Sequence, residues 1–160
     1  WNVSLVDTGL NTMTGGRLKR LTKYLDDEAF MLTYGDGVSD VNISELWKFH
    51  KEQKKIGTVT AVRPAARFGE IKVKDKLVES FKEKPQGQLG WINGGFFVFE
   101  PEFLNYIEDD ETVLEAEPLE KITFKRELSS FKHYGFWKCM DTKRDYDYLL
   151  KVWSEKNEWK

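Results

Sequence analysis

The sequence predicts an α/β fold in which a mostly parallel sheet is flanked by helices. Strand-like segments alternate with segments of helical periodicity over the first 62 residues, and such alternation is typical of parallel sheets. Strand-like segments then follow one another more closely between residues 67 and 99, which indicates an added β-rich section. With 40% hydrophobic and 32% charged residues, the composition is typical of a soluble globular protein.

In the first part of the chain, three predicted strands are separated by two predicted helices. The strands are residues 3–6, 29–34 and 58–62, where β-branched and aromatic residues are frequent. The helices are predicted from apolar residues spaced three or four positions apart. These residues are Leu18, Leu21 and Leu25 in the first helix, and Ile43, Leu46, Trp47 and His50 in the second.

The second part of the chain adds short strands and three more helices. Strands are predicted at residues 71–73, 78–81, 96–99 and about 128–134. Pro101 begins a predicted helix that runs through residue 107, and Pro118 begins another through about residue 126, because proline suits a first helical turn. The last helix is predicted from the spacing of Tyr146, Leu149, Leu150 and Trp153.

The overall charge and composition exclude several classes of function. The 25 basic and 27 acidic residues give a net charge of −2, which argues against nucleic acid as a partner. No apolar run approaches 18 residues and no signal peptide is present, so we expect neither membrane insertion nor secretion. The single cysteine, Cys139, excludes an internal disulfide and fits a reducing cytoplasm. His50 and His133 are the only histidines, which argues against a structural zinc site.

The length of 160 residues predicts a single domain, 1–160, with a core of its own. Its β-rich section is expected at about residues 63–100. The chain opens at Trp1 without an initiator methionine, and we therefore expect it to be a piece of a longer protein.

A first candidate site lies at the end of the strand predicted at residues 29–34. The stretch MLTYGDGVSD places Asp36 between Gly35 and Gly37. In open α/β sheets, ligands bind at the carboxyl ends of strands, so Asp36 is a candidate for holding a cation against an anionic ligand. The alternative is a surface turn, because Asp-Gly is a common turn dipeptide.

A second candidate site is the segment TGGR at residues 14–17. Gly15 and Gly16 at a helix start would expose backbone N–H groups, and the helix dipole favours an anion there. Thr14 and Arg17 have side chains that can bind phosphate oxygens. The alternative is a capped surface helix with a solvated basic face.

Two further segments suit a sugar phosphate. Pro85 favours an extended conformation for Lys84, whose ammonium group would act as a point charge for phosphate; alternating charge at a strand edge is the alternative. Asn93, followed by Gly94, suits a sugar because an amide both donates and accepts hydrogen bonds; a hairpin turn is the alternative. Gly69 would let the backbone pass close to a sugar ring.

A last candidate is Asp141, which directly precedes the final predicted helix. A helix N-cap is the default interpretation of an aspartate at this position. The alternative is a metal ligand, because Mg²⁺ is commonly held by one or two carboxylates together with substrate phosphates and water. Asp36 and Asp141 are the candidate pair.

Taken in order, six motifs resemble those of the sugar-1-phosphate nucleotidylyltransferases, and most closely their cytidylyl branch. The motifs are Thr14-Gly15-Gly16-Arg17, Tyr34-Gly35-Asp36-Gly37-Val38, Arg67-Phe68-Gly69, Glu83-Lys84-Pro85, Ile92-Asn93-Gly94-Gly95-Phe96-Phe97 and Met140-Asp141-Thr142. The resemblance covers essentially the whole chain. It implies a partial Rossmann-like core with a sugar-binding β section, and a reaction of CTP with glucose 1-phosphate that gives CDP-glucose and pyrophosphate in the presence of Mg²⁺.

The resemblance also implies roles for individual residues. Asp36 and Asp141 would bind the metal and would act in catalysis together with Arg17 and Lys84. The residues implied along the nucleotide are Thr12, Thr14, Gly15, Arg17 and Gly35. Lys84 would hold the sugar phosphate, and the residues implied around the glucose are Gly69, Glu83, Asn93 and Gly94.

The family's Gly-rich loop, Gly-Gly-x-Gly-Thr-Arg, and the Lys-Pro segment that follows it have no match in this chain. We therefore expect the chain to be the C-terminal part of a longer, homo-oligomeric enzyme, to be inactive alone and to have an exposed strand edge. Thymidylyl or uridylyl transfer remains an alternative, as does a non-catalytic module that binds sugar nucleotides. The resemblance suggests a cytoplasmic role in making deoxyhexoses for bacterial surface polysaccharide, such as O-antigen.

Overall fold

The computed structural model describes residues 2–64, 70–82 and 90–155. In this part of the chain the helices and strands are, in sequence order, α1 (Thr14–Arg20), β1 (Phe30–Thr33), β2 (Gly37–Ser39), α2 (Ile43–Gln53), β3 (Gly57–Val62), β4 (Glu70–Lys74), β5 (Leu77–Lys82), β6 (Ile92–Phe99), α3 (Glu117–Phe124), β7 (Leu128–Lys132), β8 (Trp137–Cys139) and α4 (Lys143–Glu155). Two 3₁₀ turns lie at Thr22–Tyr24 and Pro101–Tyr106. None of the described helices is long and apolar enough to cross a membrane.

The contacts within the chain divide it into two compact units. Unit 1 contains the described residues up to Thr33, with Ile43–Val59 and Phe96–Phe131. Unit 2 contains Tyr34–Asn42, the described part of Thr60–Gly95, and the residues from Lys132 onward.

The largest sheet has the strand order β1-β6-β3-β7. Strands β1 and β6 are antiparallel, with Phe30 opposite Phe99 and Thr33 opposite Phe96. Strands β3 and β7 are parallel, because backbone bonds join their starts (Gly57 N to Glu127 O, 3.0 Å) and their ends (His133 N to Ala61 O, 2.9 Å). The α/β class expected from the sequence is confirmed, but the sheet is mixed and not mostly parallel as predicted, because β6 pairs with β1 in the antiparallel direction.

Stacked aromatic rings form the centre of unit 1. Phe97, Phe99 and Phe103 are fully buried, and the ring centroids of Phe99 and Phe103 are 3.9 Å apart with nearly parallel planes. Gly57 lies beside Phe99 and Ile122, where an added Cβ would come within 3.1 Å and 3.0 Å of their side chains. Full burial of such a phenylalanine contributes about 2–3 kcal/mol, so these rings anchor the sheet of this unit.

Unit 2 contains two antiparallel ribbons and helix α4. Strands β4 and β5 form a hairpin with Glu70 opposite Lys82 and an irregularity between Lys72 and Val73. Strands β2 and β8 form the second ribbon. Helix α4 buries Leu149 and Val152 on one side. The β4–β5 hairpin lies where the sequence predicts the β-rich section.

Most elements agree with the sequence within a few residues, but the strand predicted at residues 3–6 is wrong. Residues 2–9 form neither strand nor helix, and Val3 and Leu5 are exposed. A strand needs a partner to satisfy its backbone groups, and these residues pair with none of the described strands. The helix predicted from Pro101 is a 3₁₀ helix, Pro101–Tyr106, and the three-residue strands β2 and β8 were not predicted.

Candidate functional site

The ribbon of β2 and β8 brings the two candidate metal ligands to the same end. Gly37 lies opposite Cys139 in the antiparallel register, and one step further the Met140 N–H donates to the Asp36 carbonyl at 2.9 Å. Asp141 follows Met140 directly. Asp36 and Asp141, which are 105 positions apart in the sequence, therefore stand within one register step of each other.

The chemistry of this ribbon end fits Mg²⁺. Both carboxylates are exposed, so phosphates and water can reach them. In the described part of the chain no group of three or more acidic, histidine or cysteine side chains could hold a metal by itself. Mg²⁺ typically takes one or two protein carboxylates and completes its octahedron with phosphates and water, which matches a pair of exposed aspartates. The metal role of this pair stays a prediction.

Asp141 lies between Cys139, whose thiol contacts it, and the first turn of α4. The Cys139 thiol donates to Asp141 Oδ2 at 3.1 Å. On the other side, the Thr142 carbonyl accepts the first helical hydrogen bond, from Tyr146 N at 3.1 Å. Thr142 is thus the N-cap of α4, and the interpretation of Asp141 as that N-cap is wrong.

Asn93 and Gly95 are bound to Tyr34, two residues before Asp36. The Asn93 amide donates to the Tyr34 hydroxyl at 3.1 Å and accepts from Gly95 N at 2.8 Å. Tyr34 N donates to the Gly95 carbonyl at 3.1 Å. Gly95 has φ +78°, and an added Cβ would come within 2.7 Å of the Tyr34 ring, so only glycine fits there. The hairpin considered for Asn93-Gly94 is wrong, because both residues lie in β6.

Gly94 connects β6 to the ribbon. Its carbonyl accepts a hydrogen bond of 2.8 Å from the Trp137 indole, and an added Cβ would lie 2.8 Å from Val62. Trp137 and Tyr34 were not predicted as site residues. The sequence contains a signal for both residues: each is an aromatic residue with a polar group and lies next to a glycine motif. Such residues are candidates because buried indole and phenol groups need hydrogen-bond partners.

In unit 1, the backbone N–H groups of Gly15 and Gly16 are bonded within the protein, whereas the sequence predicts that they are exposed. Their N–H groups donate to the Thr112 carbonyl at 3.0 Å and 3.3 Å, so these two N–H groups do not point at an anion. An added Cβ would lie 2.7 Å from Thr112 O at Gly15 and 2.6 Å from Asp110 at Gly16. The glycine pair therefore lets α1 pack closely against the loop of residues 109–114. The role of Gly15 in nucleotide binding stays a prediction.

The polar side chains of the TGGR segment are also bonded within unit 1. Thr14 Oγ1 donates to Glu115 at 2.8 Å and accepts from Leu114 N at 2.9 Å, so it does not cap α1. The Arg17 guanidinium donates to Thr8 Oγ1 at 2.8 Å and to the Leu10 carbonyl at 3.2 Å. Thr12 is buried. The predicted contacts of these residues with a nucleotide stay predictions.

The remaining predicted residues divide into two groups. Gly35 is exposed, with open space around its Cα, so a ligand can approach the backbone there. Gly69, Glu83 and Lys84 lie outside the described residues. Unit 2 therefore brings together Gly35, Asp36, Asn93, Gly94 and Asp141, whereas Thr12, Thr14, Gly15 and Arg17 belong to unit 1.

In open α/β sheets, ligands bind at the carboxyl ends of the strands, and one or two carboxylates can hold Mg²⁺ against a phosphate. The family model described as "Nucleotidyl transferase" matches residues 9–144. The chain belongs to this nucleotidyl transferase family.

Two curated relatives resemble the whole chain. Glucose-1-phosphate cytidylyltransferase of Salmonella typhimurium is 50% identical over 162 residues, which cover 100% of this chain and 63% of the relative. A probable glucose-1-phosphate cytidylyltransferase of Bacillus subtilis is 36% identical with the same coverage. The chain thus spans about 63% of the length of these relatives. These shares give no position, so the C-terminal placement stays a prediction.

A solved structure confirms the fold at low sequence identity. The structure of a putative glucose-1-phosphate thymidylyltransferase from Bacillus anthracis, in complex with a sucrose, superimposes with a TM-score of 0.70 at 13% identity. The match covers 93% of this chain and 64% of that protein.

Proposed function

We propose that the longer protein to which this chain belongs is a glucose-1-phosphate cytidylyltransferase, which makes CDP-glucose and pyrophosphate from CTP and glucose 1-phosphate. The single observation that supports this most strongly is the register of β2 and β8, which sets Asp36 beside Met140 and Asp141. Identity of 50% to the glucose-1-phosphate cytidylyltransferase of Salmonella typhimurium supports the choice of nucleotide and sugar.

The reaction needs positioning and charge neutralisation more than proton transfer. An oxygen of the sugar phosphate forms a bond to the α-phosphorus of CTP, and the bond from that phosphorus to the pyrophosphate oxygen breaks. The second pKa of a phosphate monoester is about 6, so the attacking oxygen is already ionised at neutral pH and needs no general base. The barrier comes from bringing two anions together in line.

The chain would contribute to this reaction through residues at the ribbon end. Asp36 and Asp141 would hold Mg²⁺, which, when bound, supplies positive charge beside the phosphates. Gly35 leaves room for a phosphate or sugar to lie against the backbone, and Asn93 and Gly94 would lie around the glucose. Lys84 would hold the sugar phosphate, and Thr12, Thr14, Gly15 and Arg17 would lie along the nucleotide.

The proposal also includes the setting of the enzyme. The full-length protein would act as a homo-oligomer in the cytoplasm and supply an activated sugar for surface polysaccharide. The family substrates, a nucleoside triphosphate and a sugar 1-phosphate, require no membrane contact.

The test is a pyrophosphate-release assay on the full-length protein, with four nucleoside triphosphates and several sugar phosphates. We expect CTP with glucose 1-phosphate to be preferred. Asp36→Asn and Asp141→Asn should each lower turnover about a hundredfold or more, because each removes one negative oxygen ligand from the metal. Asp147→Asn is the matched control, since Asp147 is an exposed carboxylate of α4 that pairs with Lys143.

A preference for another nucleotide would correct the assignment of substrate and leave the metal site unaffected. Turnover that is unchanged in either aspartate variant would refute the metal role of that residue.

A further inference from the structure

Asp145 is a buried carboxylate close to the candidate metal site and has no part in the reaction described above. It lies in the first turn of α4 and is only 5% exposed. Burial of a carboxylate is costly unless the charge is paired and hydrogen-bonded. The fold therefore needs a compensating set of contacts at this position, and the structure contains one.

Both oxygens of Asp145 have partners. Oδ1 forms an ion pair with the Lys138 ammonium group. Oδ2 accepts hydrogen bonds from Thr142 N at 3.1 Å and from Thr142 Oγ1 at 2.8 Å. These contacts, that with Lys138 first and those with Thr142 next, hold the pKa of Asp145 well below its usual range, so the group remains charged at neutral pH.

The two partners of Asp145 lie on either side of Asp141 in the sequence. Lys138 is a residue of β8, opposite Val38, and Thr142 is the N-cap of α4. The segment between them contains Cys139, Met140 and Asp141. One carboxylate thus contacts a residue at each end of the segment that contains Asp141.

A helix cap alone does not account for this arrangement. A capping contact requires only the hydrogen bonds between Thr142 and Asp145, and an exposed Asp145 side chain would be enough to form them. The ion pair with Lys138 adds a contact to the preceding strand, and Lys138 is itself only 26% exposed. Residues that fix a metal ligand in this way typically contribute about 10–100-fold to metal affinity.

We propose that Asp145 is a positioning residue for Asp141: through Lys138 and Thr142 it fixes the turn from β8 to α4, so that the Asp141 carboxylate faces the metal beside Asp36. This inference rests on the metal site of the proposed function. It assigns Asp145 no contact with substrate or metal.

The experiment measures Mn²⁺ binding to the full-length protein by electron paramagnetic resonance, with CTP present and sugar phosphate absent, so that no turnover occurs. Asp145→Asn should raise the Mn²⁺ dissociation constant about tenfold or more, because the amide cannot pair with the Lys138 ammonium group. Asp147→Asn removes the exposed ion pair to Lys143 on the same helix, and it should change the constant by less than about twofold.

A second pair of variants covers the case in which Asp145→Asn does not fold. Thr142→Val removes the hydroxyl that binds Asp145 and should weaken Mn²⁺ binding. Thr142→Ser keeps the hydroxyl and should retain Mn²⁺ binding, since serine is at least as good an N-cap as threonine.

The outcomes separate this inference from the proposed function. An Asp145→Asn constant equal to that of Asp147→Asn, with binding lost in Asp141→Ala, would overturn the positioning role and leave the metal site intact. If Asp145→Asn does not fold, equal constants for Thr142→Val and Thr142→Ser would overturn it in the same way. Unchanged binding in Asp141→Ala would refute the metal site itself, and the inference would fail with it.

Discussion

Thr58 and Thr60 lie two positions apart in β3 and have the same side chain and the same full burial, yet their hydroxyls differ in hydrogen bonding. Thr58 Oγ1 is 2.8 Å from His50 Nδ1 and 2.7 Å from Ser129 Oγ. Thr60 Oγ1 has no hydrogen-bond partner among the described residues. A buried hydroxyl without a partner costs about 1–3 kcal/mol.

This pair gives a prediction about stability with its own control. Thr60→Val should raise the free energy of unfolding by about 1 kcal/mol, because it removes an unpaired buried hydroxyl of nearly the same volume. Thr58→Val should lower it by about 1–3 kcal/mol, because it leaves His50 and Ser129 without their partner. Urea unfolding of both variants measures the difference. Equal effects would mean that the hydroxyl of Thr60 has a partner such as a buried water.

Some site residues could be predicted from the sequence and others could not. Asp36 stands out because it follows a strand-like segment and lies between two glycines, and Asp141 stands out because it directly precedes a predicted helix; ligands bind at such element ends in α/β folds. Position 95 requires glycine because its φ is positive and the Tyr34 ring lies beside it. This requirement depends on a contact between residues 61 positions apart, which no local sequence pattern shows. Asp145 was missed for a different reason: a carboxylate in a first helical turn normally indicates only a capping contact or a favourable dipole interaction, and the sequence does not show its burial or its ion pair with Lys138.

The C-terminal end of α3 is a second feature that local sequence patterns do not predict. Helix α3 ends in a Schellman motif, in which Glu127 N donates to Ile122 O at 2.8 Å and Arg126 N to Thr123 O at 2.9 Å. This motif requires a left-handed residue, which is usually glycine. Here Arg126 occupies that position with φ +60°, so the helix end is strained.

Arg126→Gly should therefore stabilise the protein by about 1 kcal/mol, because glycine adopts positive φ without steric cost. Glu120→Gly, inside the same helix, should destabilise it by about 1 kcal/mol and serves as the control for a glycine substitution in α3. Thermal unfolding of both variants is the measurement. A loss of stability in Arg126→Gly would indicate that the arginine side chain makes a stabilising contact that outweighs the backbone strain.

At the level of elements, long periodic segments were predicted well and short ones were not. The spacing of Ile43, Leu46 and His50 suffices to predict α2, and of these residues Leu46 and His50 are buried. The strands β2 and β8 have three residues each, which is too short for a period-two pattern. They exist because they pair with each other, and the prediction of residues 3–6 failed because those residues have no described partner.

For the whole molecule, the alternation of strands and helices predicts the α/β class, while the antiparallel position of β6 beside β1 depends on long-range pairing. One hydrogen-bond network around the buried His50 joins three parts of unit 1. His50 in α2 contacts Thr58 through Nδ1 and Glu100 through Nε2, at 2.8 Å and 3.2 Å. Lys51 also binds Glu100, at 2.8 Å. A neutral imidazole, with one donor and one acceptor nitrogen, satisfies both of its partners.

This network predicts how the stability of the molecule depends on pH. Burial lowers the pKa of His50, although the hydrogen bond with Glu100 acts in the opposite direction. Burial raises the pKa of Glu100, but hydrogen bonds from Lys51 and His50 outweigh it, so that this pKa is also lowered. In each case the unfolded chain takes up its proton at higher pH than the folded protein does. Acid therefore favours the unfolded state at both residues.

We expect the free energy of unfolding to fall as the pH decreases from about 7.5 to about 5.5, because the unfolded pKa of histidine is about 6.5 and the folded pKa of His50 lies below it. The carboxylate of Glu100 extends the loss to lower pH. His50→Gln should be less stable at neutral pH but should show a flatter profile over this range, since glutamine does not titrate. His133→Gln, in unit 2, keeps His50 and should retain the decline. Urea unfolding at a series of pH values measures all three proteins, and a wild-type profile that is flat over this range, or one that rises towards acid, would contradict a neutral buried His50.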